Sequence, residues 1–204
     1  MSIVKRYETI YHDGEPEGVK YIRRPLSSMV AYCIPRDRIS EAKKLMGIHR
    51  PGIYYLINEM DEGKLGQIYI GQTRNGISHI EEHKSCKGFW NKAIMFLADA
   101  STFSLDVIAA LEAHAINEAQ RYACGRVENF VNPRFQINEY DFPLIEEIYS
   151  EILFIMGTLG YKIKTQALTC AESLDVPLDP RIRAASASHT PQRPYVPYST
   201  RPCM

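Results

Sequence analysis

From Gly52 to Gly71 two apolar runs flank a polar segment, Asn58 to Gly66. Within the first run Tyr54 and Leu56 share one face, and Ile53, Tyr55 and Ile57 share the other, because side chains alternate along a strand. In the second, Gln67 and Tyr69 lie opposite Ile68 and Ile70. The pattern predicts a β-hairpin with a loop longer than two residues. It puts Tyr54 and Tyr69 on a common face. A glycine stands at each outer end, Gly52 and Gly71, where backbone can pass close to a neighbour or ligand.

The flanking segments predict elements of ordinary length. Residues 1 to 24 alternate around a turn at Asp13-Gly14-Glu15-Pro16, as a small hairpin or an ordered arm would. Met29 to Ile34 reads as a buried strand ended by Pro35. A helix capped by Asp37 is expected from Arg38 to about Met46, with Gly47 ending it. A turn at Asn75-Gly76 leads into a short helix carrying His79 and His83. Gly88 to Leu97, with the chain's only tryptophan, Trp90, is a third strand candidate. Ser104 has the character of an N-cap for a long helix from Leu105 to about Tyr122. A further helix runs from Phe142 to Met156, followed by a turn and short strand over 157–163.

Composition changes this picture at the ends. The 204 residues are 45% hydrophobic and 24% charged, the balance of an ordinary globular chain. Net charge is zero, so any nucleic-acid footprint has to be a local patch. Lys20, Arg23 and Arg24 form one such cluster, readable as a solvated face or as a phosphate contact. Five scattered cysteines without metal-ligand spacing suggest free thiols in a reducing compartment, hence a cytoplasmic location. No apolar run reaches membrane-spanning length. From about Thr165 prolines accumulate beside Arg181, Arg183, Arg193 and Arg201, which predicts a disordered basic tail. The expected organisation is an arm or hairpin over 1–28, one domain over 29–163, and a tail over 164–204.

Three positions carry candidate chemistry. Glu112 falls inside the apolar stripe of the long helix. A carboxylate there is costly unless it is paired with an internal arginine, sits at a rim, or binds a metal. His79 and His83, four apart, share a helix face and would make half of a metal site, but no third ligand stands at matching spacing. Asn129 and Asn132 precede Pro133, a context in which asparagine is also an ordinary turn residue.

Taken in order, Gly52-Ile53-Tyr54, Tyr69-Ile70-Gly71, His83, Leu111-Glu112 and Asn129 resemble the motifs of the GIY-YIG nuclease family. The resemblance covers about residues 29 to 163. Phe89-Trp90-Asn91 and the segment at 157–163 are similar to a bacterial branch of that family. It implies an α/β fold with a small, mostly antiparallel sheet of three to four strands flanked by helices. It also implies a metal-dependent endonuclease acting on DNA. Glu112 would hold the single Mg²⁺ (or Mn²⁺), which prefers oxygen ligands and retains water. Tyr54 would act as general base, its pKa pulled below the usual 10 by nearby cations. Tyr69 and His83 would orient water and phosphate. Asn129, with Asn132 as the alternate, would support the metal side.

The chain departs from the family at one position. His79 stands where the family carries its catalytic arginine. Histidine is shorter, offers at most two donors, and is largely uncharged above pH 6.5. A slow enzyme is therefore expected, or a DNA-binding or interaction module that has lost catalysis. Arg74, five residues earlier, is the other candidate source of charge.

Overall fold

The computed structural model describes residues 4–60, 65–122, 125–130, 135 and 137–163. The expected tail over 164–204, the alternate Asn132 and part of the hairpin loop lie outside the described residues.

The uninterrupted apolar run at Gly52 becomes an interior strand. It is β4, Gly52–Glu59, buried throughout its first six residues. It pairs on one side with β5, Leu65–Thr73, and on the other with β6, Lys92–Leu97, both antiparallel. β6 in turn pairs with β3, Val30–Pro35. Two short strands, β1 (Glu8–Tyr11) and β2 (Lys20–Arg23), extend the sheet beyond β3. A two-residue strand, β7 (Arg126–Val127), runs parallel to β5 at Gln67 and Ile68. The order is β1-β2-β3-β6-β4-β5-β7.

This corrects the expected sheet size. Among the described residues the sheet is seven-stranded and mixed, not a small antiparallel sheet of three to four strands. The N-terminal hairpin accounts for two of the added strands. Asp13 closes its connection by accepting the Glu15 and Val19 amides at 3.1 and 3.2 Å. β2 then docks on β3, so the hairpin belongs to the sheet. The parallel strand β7 is too short to show any periodicity in the sequence.

Helices cover both faces. On one lie α1, Ile39–Ala42, and α2, Ile77–Cys86, packed through Ile39, Ile77 and Ile80 on Tyr54, Leu56 and Met95. On the other lie α3, Leu105–Tyr122, and α4, Phe142–Thr158, over Ile53, Tyr55, Ile57, Ile68 and Ile70. The alternation expected for the hairpin therefore sorts its side chains between two cores. Ser104 caps α3 as expected, its Oγ accepting the Val107 amide at 3.3 Å. α1 is shorter than expected, and Asp37 does not cap it. It follows a 3-10 turn at Arg36–Arg38. β6 begins at Lys92, later than the strand expected from Gly88. Residues 161–163 form no strand, although Tyr161 and Ile163 are buried in the core. Among the described residues no helix is long and apolar enough to cross a membrane.

Candidate active site

Among the described residues β7 covers β5 at Gln67 and Ile68 alone, so β5 presents its outer edge from Tyr69 to Thr73. Side chains finish that edge. Asn129 accepts the Ile70 amide at 2.9 Å and donates to the Ile70 carbonyl at 2.7 Å. Glu112 reaches from α3 and accepts the Gln72 amide on Oε1 at 3.1 Å. This brings a carboxylate from the α3 layer to the same edge as the tyrosines of the α2 layer.

The resulting cleft is about 470 Å³ and is bordered by Tyr54, Tyr69, Arg74, His79, Glu82 and Glu112, with polar groups from Gln72 to Ser78. Tyr54 stands opposite Gly71 in the strand pairing, and a Cβ at 71 would collide with its hydroxyl. Without that Cβ the hydroxyl passes over β5 and meets His83 Nε2 at 2.6 Å. The His83 ring lies 5.6 Å from both tyrosine rings and 4.7 Å from His79. Tyr54 and Tyr69 share a face as expected, 6.3 Å apart.

α2 is pinned at both ends, which places the two histidines. At its start Gly76 has φ +54°, and a Cβ there would run into the Ile48 carbonyl oxygen. That same oxygen accepts the Ile77 amide at 3.0 Å. At its far end Arg36 donates to the carbonyls of Lys84, Lys87 and Trp90 at 2.8, 2.9 and 3.0 Å. Its guanidinium also sits 4.7 Å from the Trp90 ring centre.

The electrostatics follow from burial. Desolvation, then Tyr69 and Glu112, push the Tyr54 hydroxyl well above its usual pKa. Burial followed by the Glu112 charge raises Tyr69 too. Burial, the neighbouring His79 and then Lys87 push His83 down to about 4. Glu112 is raised by burial, partly offset by the Gln72 amide. The upward shift of Tyr54 runs opposite to the expected lowering by cations. Burial explains this first, and the neighbouring Tyr69 and Glu112 add to it. His79 Nδ1 lies 3.3 Å from Glu82 of the next turn.

Comparison with protein-family models, with curated proteins and with solved structures finds no match. Four of the six expected site residues, Tyr54, Tyr69, His79 and Glu112, border the cleft, and His83 joins them through the Tyr54 hydroxyl. Asn129 does not border it, and its amide is spent on the Ile70 backbone. The basic cluster at Lys20, Arg23 and Arg24 is engaged within the chain, on Pro16, Glu8 and Glu151.

Other contributors were not legible beforehand. Lys87 lies 4.0 Å from the Tyr69 ring centre, and Arg36 anchors α2. Ser78 and Glu82 border the cleft from α2, where a spacing of four puts them on one face. That spacing was the available signal.

No group of three or more His, Cys, Asp or Glu that could hold a metal occurs among the described residues. A cage built by the protein alone is therefore not what the cleft presents. Glu112 has no cationic partner among the described residues and borders a polar cleft, and these features suit a hard divalent ion that takes most ligands from water and phosphate.

Proposed function

We propose that this cleft hydrolyses phosphodiester bonds in DNA with the help of Mg²⁺ or Mn²⁺ bound at Glu112, as a GIY-YIG endonuclease, and that His79 slows it. The observation that carries the reading is the 2.6 Å contact of Tyr54 with His83 in a cleft that Glu112 also borders. When bound, the ion supplies charge neutralisation at the phosphate and stabilises the leaving 3′ oxygen.

The chain's own residues manage the protons. His83, with its pKa near 4, is neutral at pH 7 and can accept a proton on Nε2. Tyr54 stays protonated, so its hydroxyl serves as a relay. It takes a proton from the attacking water as it gives its own to His83. Tyr69 borders the cleft beside Tyr54, where its hydroxyl can orient the water and the phosphate. Asn129 keeps the Tyr69-Ile70-Gly71 backbone in place by holding Ile70. The free thiols of Cys33 and Cys86 fit a reducing, cytoplasmic setting.

A non-cleaving DNA-binding module is the second reading. The turn of His79 toward Glu82 favours it, since no permanent charge then stands at that position. A plain structural domain would pair Glu112 with an internal arginine. Here its hydrogen-bond donor is the Gln72 amide.

The test is nicking of supercoiled plasmid in Mg²⁺ by the native chain, by His79→Arg, and by His79→Arg combined with Glu112→Ala. Restored cutting that the Glu112 change abolishes supports the enzyme. Binding of DNA without cutting by any of the three sets the enzyme aside in favour of the binding module.

A further inference from the structure

Among the residues bordering the cleft, Arg74 is the one whose positive charge persists at any working pH. It is exposed, and no ion-pair or hydrogen-bond partner for its side chain exists among the described residues. Every other described arginine is engaged, in ion pairs with carboxylates or, at Arg36, on backbone carbonyls. An uncommitted guanidinium that shares its cleft with a buried tyrosine, a histidine and a half-buried carboxylate is placed for an anion that arrives from outside.

Its mounting is rigid. Thr73, 3% exposed, accepts the Asn75 amide on Oγ1 at 3.2 Å and donates the same hydroxyl to the Gly76 carbonyl at 3.1 Å. Those bonds fix the turn between β5 and α2 whose next residue is Arg74. A displaced side chain seldom recovers an oriented contact when its backbone is free to move. Here the backbone is held on both sides of the residue.

We propose that Arg74 binds the substrate phosphate in this cleft and supplies the charge that position 79 lacks. The inference rests on the nuclease reading for its substrate, a phosphodiester. The guanidinium offers the two-pronged donor set that a phosphate accepts and an imidazole does not. Glu112 and Arg74 would then flank the phosphate from different elements, α3 and the β5–α2 turn.

The experiment uses the full chain as Arg74→Ala, Arg74→Lys, His79→Arg, and His79→Arg with Arg74→Ala. Two measurements are made on each. Inorganic phosphate is titrated while the ring signals of His79 and Tyr69 are followed by NMR. Plasmid nicking in Mg²⁺ is measured in parallel. In the native background Arg74→Ala should weaken phosphate binding about tenfold or more and cut nicking roughly 10²-fold, the scale of one lost charge donor. Arg74→Lys should fall between. With arginine at 79, the same Arg74→Ala change should cost far less. Phosphate binding unchanged by Arg74→Ala overturns the proposal, as do equal losses of nicking in both backgrounds. If nothing nicks but phosphate binding depends on Arg74, the anion site stands and the nuclease reading falls. If nicking proceeds untouched by Arg74→Ala, the nuclease reading stands and Arg74 is not its phosphate ligand.

Discussion

Asn129 treats Ile70 as a neighbouring strand would, accepting its amide at 2.9 Å and donating to its carbonyl at 2.7 Å. Asn91 does the same for Glu59 at the other end of the hairpin, with both bonds at 2.9 Å. An asparagine amide has the donor and acceptor of a peptide group, so it can cap a strand edge. Asn129→Ala should therefore destabilise the fold by about 1–3 kcal/mol, the cost of leaving partly buried backbone groups unpaired. The checks are a lower Tm and faster hydrogen exchange at the Ile70 amide, by the same amount with and without Mg²⁺. A loss seen only in the Mg²⁺ dependence would return Asn129 to the metal side.

His79→Arg should lower the pKa of Tyr54. The two rings are 5.7 Å apart, and a permanent cation near the hydroxyl favours its ionised form. The direction opposes the burial that now holds Tyr54 high. Ring-carbon NMR of the tyrosines across alkaline pH reads it. An unchanged Tyr54 titration would mean that a cation at 79 does not act on this hydroxyl.

Glu112→Gln separates charge from structure. The amide oxygen can still accept the Gln72 amide, so the edge of β5 should hold and Tm should change little. Mg²⁺-supported cutting should drop by roughly 10²-fold or more in the His79→Arg background, since the carboxylate proposed to hold the metal loses its charge. Glu112→Ala, which removes the acceptor as well, should lower both activity and Tm.

His83 makes the fold acid-sensitive. Its pKa is about 4 in the folded chain against a usual 6.5, so the unfolded chain binds the extra proton first as pH falls. Stability present above pH 6.5 should be lost progressively between about 6.5 and 4, with no further loss from this group below that window. Denaturant unfolding at several pH values measures it, with His83→Gln as the reference. An equal pH slope in the two proteins would assign the loss to other groups.

Much of the hairpin was legible because alternation reports a face directly. Tyr54 and Tyr69 could be placed together, and Glu112 stood out against an apolar stripe. The outer strands were harder to read. β1 and β2 are four residues each and half polar, as edge strands are, and such segments look like an arm until a partner strand is known. β7 depends wholly on β5 for its conformation. Asn129 shows the same limit at a site, because spacing located the residue but not the group its amide would bind. Arg36 anchors α2 across 48 residues of chain, a relation that no local pattern carries.

The edge of β5 has a bearing on how copies of this protein avoid one another. Past Ile68, among the described residues, that edge is closed by the Asn129 amide and the Glu112 carboxylate, not by another strand. An open row of amides and carbonyls is a template for adding a strand from a second molecule, and buried or inward-pointing charge is one way proteins prevent it. The carboxylate proposed to hold the metal thus also occupies an edge amide to which a second strand would otherwise bond. Losing it threatens solubility together with chemistry, so the two requirements constrain position 112 jointly.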